Sequence, residues 1–264
     1  MTPRRLHLIT GGKFHDFDYA RLNLLQLIAE DDAIRTSCAQ DFSQMAELQQ
    51  QGVNGLILYT CDLIPDQEQT KSLVEFVRKG GRLFAIHAVN APIEFTDGPA
   101  VVTNGVNIPG LVKAPGSEIA PDYMALLGSR FQAHLPSQAL KVEIEDREHP
   151  VTQGLSDFTV IDEPYMFEPV GDIKVLMSAR YKGEATGYEL GWWNDDLPRP
   201  QLYTKTHGAG EILYTTLGHC CGRFDMQPLM EEAPINRGPW ENAIYRELLR
   251  RGIQWAAAGG QAST

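Results

Sequence analysis

Two histidines mark the points where buried strands are predicted to end. The apolar run of residues 83–86 ends at His87, and the run of residues 211–217 leads through Gly218 to His219. Histidine exchanges protons near neutral pH and is also the commonest metal ligand in proteins. Because the carboxyl ends of neighbouring parallel strands open into one crevice, we expect these two imidazoles to share a site.

Further histidine and acidic residues extend this set. His15 and Asp16 follow the first predicted strand, and Glu163 lies in an irregular stretch without an obvious lysine partner. We predict that His15 and His87 act as acid and base. Asp16 or Glu163 would orient a catalytic group or bind a metal ion, and His219 would complete the pocket. These five residues are the predicted catalytic set.

Each of these residues also has a structural explanation. A single buried histidine is most often satisfied by backbone hydrogen bonds, which is the role that we predict for His7 inside the first strand. Asp16 precedes a predicted helix and is equally consistent with an N-cap. The adjacent carboxylates of Asp162 and Glu163 are also consistent with a solvated turn.

The sequence has no zinc-type spacing such as H-E-x-x-H, so any metal ligands must be scattered along the chain. His15, His87 and Glu163 are the candidates for a zinc-like divalent ion with an open coordination position. No other cofactor is indicated. Gly11 and Gly12 after the first strand lack the remaining glycines of a dinucleotide-binding fingerprint and the lysine of a phosphate-binding loop.

Composition excludes several classes of partner. The 264 residues carry a formal net charge of −11, which disfavours nucleic acids and anionic membrane surfaces. No apolar run is long enough to span a bilayer, and the apolar segment at residues 6–10 is better explained as a strand than as a signal peptide. We therefore predict a cytoplasmic protein. The 4 cysteines show no C-x-x-C spacing and are predicted to be reduced thiols.

Short strands alternate with helices in the first third of the chain. Such alternation predicts right-handed βαβ units and a mostly parallel sheet with helices on both faces, which is an α/β fold. The predicted strands are residues 6–10, 34–38, 55–60 and 83–86. Three helices are predicted between them: residues 18–30, a short helix between Asp41 and Gly52, and a helix after the capping box at residues 66–69.

The second half of the chain is predicted to add strands that are partly antiparallel. Residues 92–117 form a long stretch rich in glycine and proline, which we predict to lie over the His87 crevice as a lid. We predict a single domain over residues 1–264. The predicted elements are strands at 141–145, 159–162, 174–178, 201–204 and 211–217, a short helix at 123–127, and a closing amphipathic helix at 240–258.

Six separated sequence fragments occur in one order and carry a resemblance to a known family. On these fragments the chain resembles the ThuA-like family of trehalose utilisation, from the first strand to G-I-Q-W-A at residues 252–256. The fragments are F-H-D from Phe14, G-G-R-L-F-A-I-H-A from Gly80, L-L-G-S-R-F-Q-A-H ending at His134, H-P-V-T-Q-G-L from His149, I-D-E-P-Y from Ile161, and L-Y-T-T-L-G-H ending at His219.

The resemblance implies a flavodoxin-like fold similar to that of class I glutamine amidotransferases. Those relatives carry a cysteine nucleophile at a sharp strand-to-helix elbow, whereas this chain has His87 at the corresponding place. The resemblance therefore does not extend to cysteine-dependent glutaminase chemistry. The chain also departs from the common family pattern at residues 192–206, where specificity could differ.

The resemblance further implies a role in the catabolism of trehalose and related disaccharides. We expect an enzyme that acts on such a disaccharide, or on an oxidised derivative of one, by acid–base or metal-assisted chemistry. His134, Asp162, Tyr165 and Trp193 are predicted to contact the sugar. The alternative is a non-catalytic sugar-binding or accessory protein on the same fold. We also expect a homo-oligomer.

Overall fold

The computed structural model describes residues 2–48, 50–103 and 105–260, and the side chain of Trp192 lies outside this description. Both ends of the predicted domain, residue 1 and residues 261–264, also lie outside it. The strand–helix alternation predicted for the first third is confirmed. Its elements are β1 (Arg4–Gly12), α1 (Phe17–Ile28), β2 (Ile34–Ala39), β3 (Gly55–Cys61), α2 (Gln67–Arg78) and β4 (Arg82–Ile86).

The middle of the chain forms small hairpins and short helices. A 3₁₀ turn at Ala88–Asn90 follows β4. The next elements are β5 (Glu94–Phe95), β6 (Val101–Thr103), β7 (Val106–Ile108), β8 (Val112–Lys113), α3 (Gly116–Ile119) and α4 (Pro121–Leu127).

The remaining elements are mostly strands, as predicted. They are β9 (Ser129–His134), β10 (Gln138–Ile144), β11 (Phe158–Asp162), β12 (Tyr165–Pro169), β13 (Lys174–Ala179), β14 (Gly183–Glu184), β15 (Trp192–Trp193), β16 (Arg199–His207), β17 (Gly210–Thr215) and α5 (Ala243–Ala257). β9 and β12 were not predicted. They pair with each other in a separate antiparallel ribbon that places Tyr165 opposite His134.

The largest sheet among the described residues has nine strands in the order β11-β10-β13-β16-β17-β4-β3-β1-β2. The strands from β17 to β2 are parallel to one another. The strands from β11 to β16 are antiparallel, and β16 also pairs antiparallel with β17. The fold is therefore mixed α/β, and the parallel arrangement expected of a flavodoxin-like sheet is confined to one half.

Helices cover both faces of the parallel strands. α1 and α5 pack on one face, where Leu24 and Leu248 join the same apolar cluster as Phe84. α2 and α4 pack on the other face, where Phe76 and Leu126 join the cluster around β3. Every residue of β3 is buried, as expected for a strand with helices on both sides. No helix in residues 2–48, 50–103 and 105–260 is long and apolar enough to cross a bilayer.

The helix predicted between Asp41 and Gly52 is wrong. Among the described residues of this segment the chain forms successive turns, with the Met45 N–H donating to the Phe42 carbonyl. Phe42, Met45 and Leu48 are all buried. That spacing of three residues suits turns with i to i+3 hydrogen bonds as well as it suits an α-helix.

The segment of residues 92–117, called the lid segment below, has more structure than a loop. β5 pairs with β8 and β6 pairs with β7, so the described part of the segment contains two short antiparallel strand pairs. Backbone hydrogen bonds fix it to other parts of the chain. The Val112 N–H donates to the Gly187 carbonyl at 2.7 Å, and the Asn107 N–H donates to the Leu229 carbonyl at 2.9 Å.

Candidate functional site

The non-glycine residues with positive φ in the described chain all lie just beyond adjacent parallel strands. Phe14 (φ 68°) follows β1, Asp62 (φ 52°) follows β3 and His87 (φ 63°) follows β4. Such conformations cost about 1–3 kcal/mol each and persist where surrounding contacts fix them, often at functional sites. The carboxyl edge of the parallel strands is therefore the first candidate for a site.

His87 occupies a sharp turn between β4 and the 3₁₀ turn. Its N–H donates to the Thr215 carbonyl at 2.7 Å, and its own carbonyl accepts the Tyr214 hydroxyl. The ring Nδ1 lies 2.7 Å from the Thr216 carbonyl, which can only accept, so Nδ1 carries the proton. Nε2 is left with a lone pair, and the Tyr165 hydroxyl lies 3.2 Å from it.

His15 is held in a similar way after β1. Its Nδ1 lies 3.1 Å from the Lys13 carbonyl, so this nitrogen donates and Nε2 has the lone pair. Nε2 is buried without a hydrogen-bond partner in the described residues. The His15 ring packs edge-on against His87 and His219, with centroid distances of 5.0 and 5.1 Å. Burial lowers the pKa of His15 well below its usual value, and the two neighbouring imidazoles lower it further.

Asp162 orders the loop that carries the remaining groups. Its carboxylate accepts the backbone N–H groups of Glu163 at 2.9 Å, Gly218 at 2.7 Å and His219 at 3.1 Å. Burial raises the pKa of Asp162 to about 6, although His87 and these N–H groups oppose the shift. The side chain thus ties the end of β11 to the segment after β17, which brings Glu163 next to His219.

Glu163 lies between three imidazoles. Its Oε2 is 3.6 Å from His87 Nε2 and 3.3 Å from His219 Nδ1, and its Oε1 is 3.7 Å from His134 Nδ1. Burial opposes its charge, but His134 and His219 outweigh burial and hold the pKa of Glu163 well below its usual value. Burial likewise opposes the charge of His219, and Glu163 outweighs it and raises the His219 pKa.

Four residues could hold a metal ion. His15, His87, Glu163 and His219 each offer one ligand atom, and these atoms lie within 4.8 Å of one another. Ligands about 2.0–2.1 Å from a tetrahedral zinc ion are about 3.3 Å apart, close to the separations of Glu163 Oε2 from His87 and His219. His219 Nδ1 is buried and makes no hydrogen bond of good geometry among the described residues. The donor set fits a divalent ion.

The hydrogen bonds around this group have the form that metal-binding histidines require. A ligating imidazole almost always donates its other N–H to a carbonyl or carboxylate, which fixes the ring and the tautomer. His15 and His87 both do so through backbone carbonyls. Their Nε2 lone pairs are therefore available before any ion binds.

A cavity of about 270 Å³ opens over this group. Its inner end is formed by His15, His134, Glu163 and His219. The lid segment forms part of its outer wall, which confirms the predicted position of that segment over the crevice. The lid residues that line the cavity are Ile93, Phe95, Thr103, Val106, Ile108 and Val112.

The structure brings most of the predicted site residues together but not all of them. The residues at or around the cavity are His15, His87, His134, Glu163, Tyr165 and His219. Asp16 instead caps α1 by accepting the Tyr19 N–H at 3.0 Å, and its other oxygen pairs with Arg237 at 2.6 Å. The N-cap interpretation of Asp16 is therefore correct.

Two predicted sugar contacts also lie elsewhere. Asp162 has no exposed surface, and all its contacts described above are with backbone N–H groups, so it positions Glu163 and His219 rather than lining the cavity. Trp193 packs over the Arg199 guanidinium, 4.8 Å from ring centroid to Cζ, and is not part of the cavity lining. Trp193 pairs with Gly183 on β14, and it lines a separate pocket that also borders Tyr165.

Sequence reasoning missed several wall residues. Phe131 and Tyr188 line the cavity, and their rings lie 6.0 Å apart. Phe131 belongs to the unpredicted strand β9, whose alternating buried and half-exposed residues could have indicated a strand. Tyr188 lies in an irregular stretch that is joined to β8 by backbone hydrogen bonds, which no local pattern indicates.

Comparisons with known proteins agree with this description. A ThuA-like protein from Parabacteroides merdae has a TM-score of 0.64 and 19% identity, over 99% of this chain and 92% of that chain. A ThuA-like protein from Bacteroides uniformis has a TM-score of 0.63 and 19% identity, over 97% of this chain and 92% of that chain. At such identity these structures show the fold alone.

No curated protein matches the chain. The family model for ThuA, described as trehalose utilisation, matches residues 99–232. This region contains His134, Glu163, Tyr165 and His219, together with part of the lid segment. The chain therefore belongs to the ThuA family, whose description supports a carbohydrate-related role.

Proposed function

We propose that this chain is a divalent-metal-dependent enzyme that acts on a glycoside, the class to which trehalose and its oxidised derivatives belong. The convergence of His15, His87, Glu163 and His219 at the inner end of a cavity carries this proposal. Carboxyl ends of parallel strands are the usual place for such sites in α/β folds.

The donor atoms favour a particular group of ions. Three imidazole nitrogens and one carboxylate oxygen suit Zn²⁺, Co²⁺, Mn²⁺ or Fe²⁺, whereas Ca²⁺ and Mg²⁺ prefer oxygen ligands. Three histidines and a carboxylate leave coordination positions open in an ion that accepts five or six ligands. Bound there, such an ion would act as a Lewis acid toward an oxygen atom of the sugar.

Residues beside the metal group would handle protons. His134 lines the cavity, its side chain is 27% exposed, and Nδ1 donates to the Leu135 carbonyl at 3.0 Å, so Nε2 can accept a proton. The Tyr165 hydroxyl, 3.2 Å from His87 Nε2, is a second proton-bearing group at this end. We assign His134 the role of proton acceptor and Tyr165 the role of hydrogen-bond donor to the sugar.

Metal binding by site variants tests the proposal. Wild-type protein, stripped with a chelator and titrated calorimetrically, should bind Zn²⁺, Co²⁺ or Mn²⁺ and should not bind Ca²⁺. His219→Ala and Glu163→Gln should each weaken binding at least about 100-fold, since removing one ligand disrupts the set. His207→Ala is the matched control, because His207 pairs with Gly210 at the amino end of β17, away from the carboxyl end where the group lies, and is not part of the group.

Turnover distinguishes the enzyme from the sugar-binding alternative. The metal-loaded wild type should convert a glycoside from a panel that includes trehalose and oxidised disaccharides, and chelation should abolish the conversion. A wild type that binds none of the transition ions would overturn the metal assignment. A metal-loaded protein that binds glycosides but converts none of the panel would favour the accessory role.

A further inference from the structure

The cavity has two chemically different ends. The inner end carries the histidines and Glu163. Of the described residues that line the rest of the cavity, none carries a charge. The outer walls are apolar on several sides. Side chains of the lid segment form one wall, and side chains from the segment after His219 form another. The main contributors are Phe95, Val106, Ile108, Val112, Met226 and Leu229.

Aromatic rings add to the apolar character. Phe14, Phe131 and Tyr188 also line the cavity. Rings arranged around a cavity offer faces and edges to another ring, and such pairs add to the free energy of burying apolar surface. The polar side-chain groups here are few: the hydroxyls of Thr103, Ser137, Thr186 and Tyr188, and the thiol of Cys61.

This wall is fixed by backbone hydrogen bonds. The Val112 N–H donates to the Gly187 carbonyl at 2.7 Å and the Glu189 N–H donates to the Val112 carbonyl at 3.0 Å, which places Tyr188 beside the lid segment. The Asn107 N–H bonds the Leu229 carbonyl on the opposite side. The apolar surface is therefore part of the folded cavity and does not depend on a ligand to form it.

A second sugar ring fits this environment poorly. Sugar hydroxyls buried against mostly apolar walls lose hydrogen bonds to water and find few partners in return, which is unfavourable. An aromatic ring in the same place would gain by leaving water. The volume of about 270 Å³ lies near the lower end of small-molecule sites, about 300–1,000 Å³, and so suits a monosaccharide unit with one small ring.

We propose that the substrate of this site is an aryl glycoside, with its sugar unit at the histidine end and an uncharged aromatic aglycone against the lid segment. The proposal rests on the proposed function, since it names the class of glycoside that the site accepts. It places trehalose, in which both units are fully hydroxylated, among the weaker ligands.

Ligand titration tests this preference directly. Phenyl glucosides, methyl glucosides of both anomers and trehalose are titrated calorimetrically into metal-loaded and into metal-free protein. The phenyl glucosides should bind at least about tenfold tighter than the methyl glucosides and trehalose, the change expected from burying one ring. Trehalose that binds as tightly as the phenyl glucosides, or phenyl glucosides that do not bind, would overturn the proposal.

Variants of the lid segment locate the aglycone. Val106→Thr with Val112→Thr keeps side-chain shape and strand propensity but adds two hydroxyls to the wall. This double variant should lose about three- to tenfold in affinity for phenyl glucosides and keep its affinity for methyl glucosides. Val102→Thr is the matched control, because Val102 lies on the same hairpin, is 73% exposed and is not part of the lining.

Failure of this inference and failure of the proposed function give different results. Normal metal binding with no preference for phenyl glucosides contradicts the aryl glycoside alone. Absent metal binding with a preserved phenyl preference contradicts the metal assignment and leaves the aglycone assignment supported. An affinity for phenyl glucosides that is unchanged in the double variant shows that the ring does not lie against the lid segment.

Discussion

Backbone carbonyls orient three of the histidines in the group around Glu163, namely His15, His87 and His134. Thr216 and Lys13 offer the carbonyls that accept from Nδ1 of His87 and His15, so each ring keeps its Nε2 lone pair toward the group. The strained backbone at His87 is part of the same arrangement, because the turn places the ring under Tyr165. Preorganisation of this kind reduces the free energy that ligand binding would otherwise spend on ordering side chains.

Tyr165 provides a residue-scale prediction that depends on the metal. In Tyr165→Phe, His87 Nε2 loses the hydroxyl at 3.2 Å and becomes a buried acceptor without a partner. We expect the metal-free variant to lose about 1–2 kcal/mol of unfolding free energy. Once an ion binds Nε2, the loss should become smaller, since the ion and not the phenol then satisfies that nitrogen.

Urea denaturation of wild type and variant, with chelator and with saturating Zn²⁺, measures both values. The metal content of the variant should equal that of the wild type, while kcat/KM should fall about 10- to 100-fold because a hydrogen-bond donor is gone. An equal stability loss with and without the ion would show that Nε2 of His87 is not a ligand.

At the scale of elements, α5 packs onto β4 closely enough to require a glycine. A Cβ added at Gly252 would lie 2.4 Å from the Phe84 ring. Alanine is the better helix former by up to about 1 kcal/mol, but overpacking costs about 1–3 kcal/mol. We therefore expect Gly252→Ala to lower the unfolding free energy by about 1–2 kcal/mol.

A double-mutant cycle checks this explanation by chemical denaturation. Phe84→Leu makes room opposite residue 252, so the alanine should cost less in that background than in the wild type. If the alanine costs the same in both backgrounds, the Phe84 ring is not the cause.

The turn after β10 depends on one carboxylate. Asp146 pairs with Lys174 at 2.7 Å and accepts the N–H groups of Glu148 at 2.9 Å and His149 at 3.1 Å. Its pKa is lowered from 3.8 to about 2, first by Lys174 and then by the Glu148 N–H. Because the folded-state pKa lies below the unfolded value, this stabilisation is complete above about pH 4 and is lost as pH falls toward 2.

Asp146→Asn should therefore cost about 1 kcal/mol at pH 7, after allowance for solvent screening. The cost should shrink as the pH falls toward 2, because a growing share of the Asp146 carboxyl groups is then neutral, as the asparagine is. Urea denaturation of both proteins at pH 7 and pH 3 measures it. An equal cost at the two pH values would mean that the carboxylate charge does not contribute.

The sequence predicted the elements whose patterns are local and missed those that depend on distant partners. Buried runs bounded by glycines and helix caps were enough for β1, β3 and β4, and Asp66 forms the expected capping box. The strand-end argument also placed His15, His87 and His219 together. Among the described residues, β9 and β12 pair with each other and not with the nine-stranded sheet, and Tyr188 reaches the cavity through its pairing with β8. The alternation in β9 is a local signal of a strand, but no periodicity indicates which strand it pairs with or that Tyr188 lies at the cavity.

At the scale of the whole molecule, two strands of the described nine-stranded sheet have a strand partner on one side only. β11 and β2 are the edge strands of the nine-stranded sheet. Ile161 on β11 is 52% exposed, and exposed edges that carry apolar side chains are common places for chain association. The homo-oligomer expected from the sequence remains a prediction, and β11 is where we expect the contact.

Sedimentation at micromolar concentration should therefore give a species heavier than the 29.4 kDa chain. Ile161→Lys places a charge on the edge, which natural sheets use to prevent pairing, and should shift the population to the monomer. Leu197→Lys is the control, because Leu197 is 63% exposed in an irregular segment away from that edge. If the wild type stays at 29.4 kDa as its concentration rises, the predicted oligomer is wrong. If the protein forms an oligomer that Ile161→Lys does not affect, the contact lies on another surface.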